Sequence, residues 1–405
     1  MKEIPLLGSL LLKVRSILFK PSLTGHSERT AKNIFDFLLI YNQVTINNSK
    51  PPDIRNLLQF KKVGLLLKRY DGSHYYKNVL PLFQDAEINF LDDVNWDSSD
   101  VFFVVGLGVS YQEELLRVFH MKKPCYILEE NFLRSIVPVS FLKNNTIPSK
   151  FFRPVSYFID TNGPHFVGSI ISSLENSISS DYCPSSEELS LSRRMIGKII
   201  ESNLSKYNCQ PSNEISLPQN GKEHILVVDQ VYNDFSVVAS GGDISSFKYM
   251  LNQAILENPD CNIIIKTHVD RYSRETYFSR INIPPNVFIY SVDINPLLLL
   301  KAVRRVYTYS STMGFEALLC GKDVLTFGSP VYAGWGLTTD KRSFLGRRNV
   351  KRSLEELFWF IYLKNSIYID PIGEKLISLE DAIDILINLR DEFLNNSINY
   401  FNHKT

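Results

Sequence analysis

The sequence predicts an α/β protein with two sheets of mostly parallel strands, and three observations lead to this class. Short apolar runs alternate with stretches of helical periodicity, which is the pattern of sheets covered by helices. This alternation stops at a polar segment with two prolines, residues 208–223, and starts again after it. The length of 405 residues exceeds what one hydrophobic core usually organises. We therefore expect two Rossmann-like domains that face a cleft.

The first half contains four apolar runs that predict buried strands, at 62–67, 101–106, 125–130 and 156–160. Helical periodicity is found in three stretches, at 27–42, 111–120 and 186–206. These elements define a predicted N-terminal domain over residues 1–207. The unpatterned segment 208–223 is predicted to be an interdomain linker.

The second half repeats the pattern with five predicted strands, at 224–229, 262–267, 286–291, 305–310 and 323–328. Helices are predicted at 244–258, 294–302, 312–321 and 355–363. Together they define a second domain over 224–378. Residues 379–405 are predicted to form a C-terminal helix that begins with a capping box of Ser378 and Asp381 and packs back on the N-terminal domain.

Composition excludes several classes of function. Hydrophobic residues make up 44% and charged residues 21%, which is typical of a folded globular protein and not of a disordered one. A net charge of +1 gives no electrostatic support to a nucleic-acid partner. Five cysteines without a CxxC pair indicate reduced thiols and a cytoplasmic location. No apolar stretch is long enough to span a membrane.

The N-terminal segment 4–20 has two interpretations that stay open. Lys13 and Arg15 interrupt its apolar run, so a signal peptide is not expected. The segment either packs into a core or lies on a membrane surface as an amphipathic helix with its basic side chains toward lipid phosphates.

Polar side chains follow several predicted strands, where open parallel sheets bind their ligands. Lys266 and His268 end the strand at 262–267, and alternation along the chain allows both to point into one crevice. An ammonium and an imidazole together suit a phosphate, and the imidazole can also protonate a leaving group. The alternative is that both side chains are simply solvated.

Three hydroxyl residues, Ser310, Ser311 and Thr312, stand between the strand at 305–310 and the next helix. Hydroxyl donors and exposed backbone N–H groups at a helix N-terminus can bind an anion, although one of the three could be an ordinary N-cap. Glu316 follows one turn later, where it either accepts hydrogen bonds from a ribose or base or favours the helix dipole.

Carboxylates supply the remaining candidates in both halves. The strand at 224–229 ends in Asp229, followed by Gln230 and Asp234, and a carboxylate there can act as nucleophile or base, or can only shape a turn. In the first half the candidates come after two further strands: Glu129, Glu130, Arg134 and Asp160. Arg134 either binds a sugar carboxylate or neutralises its acidic neighbours.

Several of these strings resemble those of one known family. The strings are LEENFLRS (128–135), SSLE (172–175), the D-Q-x-x-x-D-x-S pattern (229–236), KTH (266–268), YSSTMGFEALLCGK (309–322) and FGSPVYAGWGLTTD (327–340). In order and spacing they are similar to the β-Kdo glycosyltransferases of bacterial capsule and O-antigen assembly, the capsule polysaccharide synthesis proteins. The resemblance covers roughly residues 100–345. Within it, Glu130 and Asn131 stand where the family usually has Asp and Gly.

The resemblance implies a GT-B-like retaining transferase with an acceptor-side domain first and a nucleotide-sugar domain second. It implies CMP-β-Kdo as donor and a lipid-linked glycan at the cytoplasmic membrane face as acceptor, with neither metal nor other cofactor. Asp234 corresponds to the nucleophile of a double displacement, and Asp160 or Glu130 to a second carboxylate. The implied donor-binding residues are Gln230, Lys266, His268, Ser310, Ser311, Thr312, Glu316 and Arg134, of which His268 also assists catalysis.

Two other functions remain open on the sequence. One is a GT-B transferase for another CMP-activated acidic sugar, such as sialic acid, which donor choice would distinguish. The other is a non-catalytic polysaccharide assembly subunit. The joint presence of Asp234, Lys266, His268 and the Ser-Ser-Thr run argues against that subunit, because a binding module needs no nucleophile.

Overall fold

The computed structural model describes most of the chain after residue 59. The described residues are 60–67, 79–83, 85–105, 112–138, 147–168, 170–210, 215–269, 275–344 and 346–401. The predicted helix at 27–42 and the segment 4–20 lie outside them. In the part of the chain that is described, no helix is both long and apolar enough to cross a bilayer.

Within the described residues, the first half forms five strands and three helices. The strands are β1 Lys62–Leu66, β2 Glu87–Phe90, β3 Val101–Val105, β4 Cys125–Glu130 and β5 Ser156–Asp160. The helices are α1 Gln112–His120, α2 Ser173–Ser179 and α3 Ser186–Glu201. All four predicted strands are confirmed, and β2 and α2 are additions.

The second half forms six more strands and five helices. The strands are β6 His224–Val228, β7 Asn262–Lys266, β8 Val287–Tyr290, β9 Arg305–Thr308, β10 Asp323–Thr326 and β11 Thr339–Asp340. The helices are α4 Phe235–Val238, α5 Ile244–Glu257, α6 Pro296–Lys301, α7 Met313–Leu319 and α8 Leu354–Phe358. The five predicted strands are confirmed.

The chain ends with a π-helical segment Trp359–Lys364, two short strands and a long helix. These are β12 Ser366–Ile369, β13 Leu376–Ile377 and α9 Leu379–Phe401. Ser378 and Asp381 exchange hydrogen bonds at the start of α9, so the predicted capping box is confirmed.

The first sheet has seven strands in the order β13-β12-β5-β4-β3-β1-β2. Its β1–β4 strands are parallel, whereas β5, β12 and β13 pair antiparallel with their neighbours. Strands β1, β3 and β4 are mostly apolar and buried, as expected for parallel strands covered by helices on both faces, whereas the edge strand β2 has only two buried residues.

The second sheet has six strands, all parallel, in the order β11-β10-β9-β6-β7-β8. Renumbered from β6, this is the 3-2-1-4-5-6 order of dinucleotide-binding Rossmann sheets. Its core joins Ile225, Val227 and Ile265 of the strands to Phe247 and Leu251 of α5. The strand order therefore fixes a topological switch point between β6 and β9.

Two compact units result, and their limits differ from the predicted domain boundaries. Among the described residues, one unit contains 60–165, 170–180 and 359–401, and the other contains 166–168 and 181–358. The segment 208–223 therefore lies inside the second unit and is not an interdomain linker. Helix α3 belongs to the second sheet's unit because it packs on α8, and β12 belongs to the first sheet because it pairs with β5.

The C-terminal helix α9 lies in the same unit as the first sheet. Lys150 donates to Glu392 at 2.6 Å, and the rings of Phe151 and Phe393 meet edge to face at 5.3 Å. These contacts attach α9 to the short 3₁₀ turn Ser149–Phe151 of the N-terminal half.

Candidate functional site

The candidate site lies at the switch point of the second sheet. Strands β6 and β9 are neighbours, with Val227 paired to Tyr307, and both run toward the same edge. Gln230 follows β6 and Ser310 follows β9. In a doubly wound sheet the crevice outside these strand ends is where ligands bind. The topology therefore brings together two segments that are 80 residues apart in the chain.

Four polar side chains form a hydrogen-bonded cluster at this point, and we call Gln230, Ser310, Ser236 and Asp234 the switch-point cluster. The Gln230 Oε1 accepts from the backbone N–H of Ser310 at 3.0 Å, and its Nε2 donates to Ser310 Oγ at 3.2 Å. Ser310 Oγ lies 2.8 Å from Ser236 Oγ. Ser236 Oγ donates to Asp234 Oδ1 at 2.5 Å. Three predicted site residues are thus joined through Ser236.

Asp234 is held by its own helix. It is the N-cap of α4, and its Oδ1 also accepts the backbone N–H of Ser236 at 2.9 Å. Asn233 before it has φ 59°, a left-handed conformation that asparagine tolerates better than most residues. The side chain is half-buried. Within the described part of the chain, Oδ1 carries these hydrogen bonds and Oδ2 carries none.

Asp229, the alternative carboxylate of this segment, lies in the interior. Its Oδ1 accepts backbone N–H groups from Gln230 at 2.9 Å and Phe278 at 3.2 Å. Burial raises the pKa of its carboxyl to about 6 against the lowering effect of these hydrogen bonds. With 1% exposure, Asp229 fixes the backbone after β6 and does not face a ligand.

Lys266 and His268 follow at the next strand end. Val228 of β6 pairs with Lys266 of β7, so Lys266 reaches the same edge of the sheet as the cluster. Its ammonium donates to the backbone carbonyls of Thr267 at 3.2 Å and Val292 at 3.4 Å, and the residue is 8% exposed. His268 is half-buried two residues later.

The three hydroxyl residues before α7 have separate roles. Ser310 belongs to the switch-point cluster. Ser311 Oγ accepts the backbone N–H of Met313 at 3.2 Å, which is a capping contact. Thr312 occupies the N-cap position with no side-chain capping bond, so its hydroxyl does not stabilise the helix start. The N-cap alternative considered on the sequence therefore applies to Ser311.

Glu316 points away from the helix start. It is buried, and its Oε1 accepts from Ser205 Oγ at 2.6 Å and from the backbone N–H of Lys206 at 3.1 Å. Burial raises the pKa of its carboxyl to about 7, and the hydrogen bonds partly oppose this effect. The structure thus gives Glu316 an anchoring contact with the segment that follows α3.

The YAGWGLTTD string, residues 332–340, is braced against the start of α7. The Tyr332 hydroxyl donates to the backbone carbonyl of Ser311 at 2.5 Å, and a Cβ built on Gly314 would lie 2.1 Å from that hydroxyl oxygen. Asp340 closes the string by accepting from Thr338 at 2.7 Å and from the Gly334 backbone at 3.0 Å. Two strings that are separate in sequence are therefore one structural unit.

The four candidate residues of the first half, Glu129, Glu130, Arg134 and Asp160, lie in the unit of the first sheet. Strands β4 and β5 are antiparallel, with Glu130 opposite Tyr157 and Ile127 opposite Asp160. Glu130 and Asp160 therefore lie at opposite ends of the strand pair, although both follow a strand in sequence. The two alternatives for the second carboxylate therefore do not share one edge of the sheet.

Asp160 is a buried structural residue. Its Oδ1 accepts three backbone N–H groups, from Asn162 and Gly163 at 3.0 Å and from Ser173 at 2.9 Å. Burial is the largest influence on its pKa and raises it, although these hydrogen bonds act in the opposite direction. The carboxylate thus holds the start of α2 against the end of β5.

Arg134 is also committed to structural partners. Its side chain is 1% exposed and forms a two-point ion pair with Glu130, with Nη2 to Oε1 at 2.7 Å. Its Nη1 donates to Ser135 Oγ at 2.7 Å and to the Phe152 carbonyl at 3.2 Å. The guanidinium therefore neutralises its acidic neighbour, which was the second alternative. Glu130 itself remains partly exposed, at 19%.

Comparison with known proteins shows similarity to one family. A family model described as capsule polysaccharide biosynthesis protein matches residues 180–370. The capsule polysaccharide modification protein LipA of Neisseria meningitidis serogroup A is 35% identical over 300 residues, which are 71% of this chain and 41% of the relative. These matches support the capsule polysaccharide biosynthesis family for this chain. The chain spans about two fifths of the length of that relative.

Two solved structures share the fold of this chain. The β-Kdo 2,4 transferase of Thermosulfurimonas dismutans KpsC is 28% identical with a TM-score of 0.72, covering 81% of this chain and 98% of that one. The β-Kdo 2,7 transferase of the same KpsC is 22% identical with a TM-score of 0.59, covering 82% and 99%. The expected GT-B-like α/β fold with two sheets is confirmed.

Two observations concern residues that the sequence analysis left without a role. Ser236 was part of the resembling D-Q-x-x-x-D-x-S string, and its spacing of two after Asp234 was the available signal for a capping contact. Tyr332 gave no such signal, because its partner Ser311 is 21 residues away. Within the described residues, no group of three or more His, Cys, Asp or Glu side chains is arranged to hold a metal.

Proposed function

We propose that this chain is a retaining glycosyltransferase that moves Kdo from CMP-β-Kdo onto a lipid-linked glycan in capsule or lipopolysaccharide O-antigen biosynthesis, at the cytoplasmic membrane face. The observation that carries the proposal is Asp234, a half-buried carboxylate in a hydrogen-bonded cluster at the switch point of a Rossmann-ordered sheet. The similarity to a solved β-Kdo transferase over 81% of the chain supports the same activity.

Retention follows from two displacements at the anomeric carbon. Asp234 Oδ2 forms a bond to that carbon while the bond to the phosphate oxygen breaks, and its electron pair leaves with CMP. An acceptor hydroxyl then attacks the same carbon, the bond to Oδ2 breaks, and the hydroxyl proton passes to a second carboxylate. Splitting the transfer into two steps is the usual effect of a carboxylate nucleophile.

Positive charge near the leaving group supports the first displacement. Lys266 and His268 come at the end of β7, whose neighbour β6 leads into the cluster. Kdo carries a carboxylate beside its anomeric carbon, so its CMP donor has two anionic groups there. We assign Lys266, His268 and Thr312 to the CMP moiety, since such groups stabilise the charge of a departing phosphate.

Glu130 is proposed as the second carboxylate. It is partly exposed at the carboxyl end of β4, whereas the Oδ1 of Asp160 is occupied by three backbone N–H groups. Its ion pair with Arg134 favours the ionised form that a base requires. Arg134 then orients the base, and the donor carboxylate is bound by the second unit's own cations.

The experiment is a turnover assay with competing donors. Purified chain is incubated with freshly made CMP-β-Kdo or with CMP-sialic acid, with and without a short glycan acceptor, and CMP release is measured. The proposal expects acceptor-stimulated release from CMP-β-Kdo and a β-configured product by NMR. Turnover with CMP-sialic acid alone would replace the donor. Absence of both release and CMP-induced thermal stabilisation would favour a non-catalytic assembly subunit.

A further inference from the structure

The hydrogen bonds between the side chains of the switch-point cluster all donate toward Asp234. The backbone N–H of Ser310 can only donate, so the Gln230 oxygen that accepts it at 3.0 Å must be Oε1. The amide of Gln230 is thereby oriented, and its Nε2 faces the two hydroxyls, Ser310 Oγ at 3.2 Å and Ser236 Oγ at 3.4 Å.

The direction in which each serine hydroxyl donates is determined from the Asp234 end of the cluster. A nucleophilic Asp234 is a carboxylate and can only accept, so the single Ser236 proton is used at Oδ1, at 2.5 Å. The 2.8 Å contact between the hydroxyls then requires Ser310 to donate to Ser236, so its proton is not available to Gln230 Oε1, which lies 3.4 Å from Ser310 Oγ. Gln230, Ser310, Ser236 and Asp234 form one chain in which every proton points toward the carboxylate.

We propose that Ser236, Ser310 and Gln230 are positioning residues for the Asp234 nucleophile, and that Gln230 and Ser310 act through Asp234 and not by holding the donor. The inference rests on the proposed function and changes the roles of Gln230 and Ser310 within it. Holding Oδ1 in this chain fixes the rotation of the carboxylate and presents Oδ2 to the anomeric carbon.

The same contact serves both displacements. When Oδ2 bonds to the anomeric carbon, Oδ1 becomes the carbonyl oxygen of the glycosyl ester and keeps the hydrogen bond from Ser236. When the acceptor hydroxyl attacks, the electron pair of the breaking bond returns to the carboxylate, whose charge the Ser236 hydroxyl already stabilises. Because the Ser236 hydroxyl is in place before the reaction, this hydrogen-bond donor does not have to rearrange during it.

The chain offers a matched control in the next helix. Asp243 is the N-cap of α5, and Ser245 donates to Asp243 Oδ1 at 2.5 Å, with the same Asp-x-Ser spacing and distance as Asp234 and Ser236. Asp243 also accepts the backbone N–H of Ser246 at 2.9 Å. Ser245 is exposed and has no part in the switch-point cluster. Ser245→Ala therefore removes the same local contact without touching the nucleophile.

The test compares Ser236→Ala, Ser236→Thr, Ser310→Ala, the double variant Ser236→Ala/Ser310→Ala, and Ser245→Ala. We expect Ser236→Ala to lower kcat by about 10- to 100-fold, the range typical of residues that orient a reacting group. CMP affinity by calorimetry is expected to stay within about twofold of wild type, and Ser236→Thr to restore most of kcat. Ser245→Ala is expected to retain wild-type kcat while its melting temperature falls about as much as that of Ser236→Ala.

The double variant tests whether the serines act as one chain. If they do, its loss of kcat is close to that of the larger single variant, because breaking the chain at either serine removes the same effect. Three results would each overturn the inference: additive losses of kcat, a fall in CMP affinity with unchanged kcat, or an unaffected Ser236→Ala. The proposed function would still stand in these cases, because the wild-type chain turns over. A wild-type chain without turnover on either donor would instead overturn the proposed function, and the inference with it.

Discussion

Asp234 has two roles at once, as a helix cap and as the proposed nucleophile. Its Oδ1 accepts the backbone N–H of Ser236 at the start of α4, and this hydrogen bond restricts rotation of the side chain. Its Oδ2 carries no hydrogen bond within the described part of the chain. The cap thus holds a loop carboxylate in one orientation before a substrate arrives. A short helix placed at the switch point is sufficient for this purpose.

The assignment of the second carboxylate predicts different behaviour for two variants. Glu130→Gln should lower transfer to a glycan by about 100-fold, since the acceptor hydroxyl loses its base. Asp160→Asn should stay close to wild type, because an amide oxygen can still accept the three backbone N–H groups. The measurement is kcat for transfer, with melting temperatures recorded for both variants.

Azide separates lost chemistry from lost structure in Glu130→Gln, since that variant also weakens a buried ion pair. Azide needs no base, so it should restore CMP release and yield Kdo azide if Glu130 is the base. An unrescued Glu130→Gln, or an inactive but folded Asp160→Asn, would contradict the assignment.

Glu316 predicts a pH-dependent part of the stability. Burial raises the pKa of its carboxyl from 4.5 to about 7, so the folded chain binds this proton more tightly than the unfolded chain. The stability that Glu316 contributes is therefore present in full below pH 4.5 and is lost as the pH rises through about 7. Urea unfolding of wild type and Glu316→Gln from pH 5 to pH 8 measures it.

We expect the unfolding free energy of wild type to fall relative to that of Glu316→Gln by about 1–3 kcal/mol across this range. Asp229 changes in the same direction near pH 6, but it is present in both proteins and cancels in the comparison. A constant difference between the two proteins would mean that Glu316 is ionised in the fold at all these pH values.

At the scale of elements, helix α7 is positioned by the packing of Gly314 on Tyr332. Gly314→Ala should lower the unfolding free energy by about 1–3 kcal/mol, because its Cβ would lie 2.1 Å from the Tyr332 hydroxyl oxygen. Gly197→Ala in α3 is the matched control, since nothing lies within 4 Å of its added Cβ. It should stabilise the chain by about 0.5–1 kcal/mol through helix propensity.

Chemical denaturation of the two glycine variants measures both effects. Adding Tyr332→Phe to Gly314→Ala removes the closest atom of the clash and should recover part of the loss, although the ring carbon at 2.8 Å remains. Equal stability changes in Gly314→Ala and Gly197→Ala would contradict this account of the packing.

The elements with strong periodicity could be predicted from the sequence, and the weaker ones could not. Strand β7 (NIIIK) is an unbroken run of buried residues, a pattern typical of a buried parallel strand. Strand β2 (EINF) has an exposed glutamate and only two buried residues, and β12 (SIYI) likewise has only two buried residues. Their membership in the sheet depends on partners distant in the sequence, which no local pattern encodes.

The polar residues of the candidate site could be predicted from the sequence, but the contacts between them could not. Lys266 and Ser310 follow obvious strands, so sequence placed them at a sheet edge. The contact of Ser236 with Ser310 spans 74 residues and depends on β9 returning beside β6. The separation of Glu130 from Asp160 depends on β5 running antiparallel, a direction that a single strand's sequence does not specify.

At the scale of the whole molecule, the two sheets differ in how much of their order the sequence determines. The second sheet is built from one continuous stretch of alternating strands and helices, and βαβ connections of this kind lead to a parallel sheet. The first sheet is completed by β12 and β13 from near the C-terminal end of the described chain. Both strands precede residue 378 and so lie within the predicted second domain, which is the physical reason why the two units do not follow the predicted boundaries.

The charge arrangement predicts transfer without a divalent metal. Lys266, His268 and Thr312 are proposed to stabilise a departing phosphate monoester by hydrogen bonds and charge. Turnover should therefore remain within about twofold of its initial value when EDTA is added, and added Mg²⁺ should not raise it further. Loss of activity in EDTA, restored by Mg²⁺ or Mn²⁺, would show that a metal takes part.

The role of Asp234 as the nucleophile is tested most directly by the mass of the protein after incubation with CMP-β-Kdo in the absence of acceptor. The account predicts a covalent adduct of one Kdo residue, located by peptide mapping at Asp234, that disappears when acceptor is added. Asp234→Ala should bind CMP and form no adduct. An adduct at another carboxylate, or acceptor-dependent turnover in Asp234→Ala close to that of wild type, would contradict the assignment of Asp234 as the nucleophile.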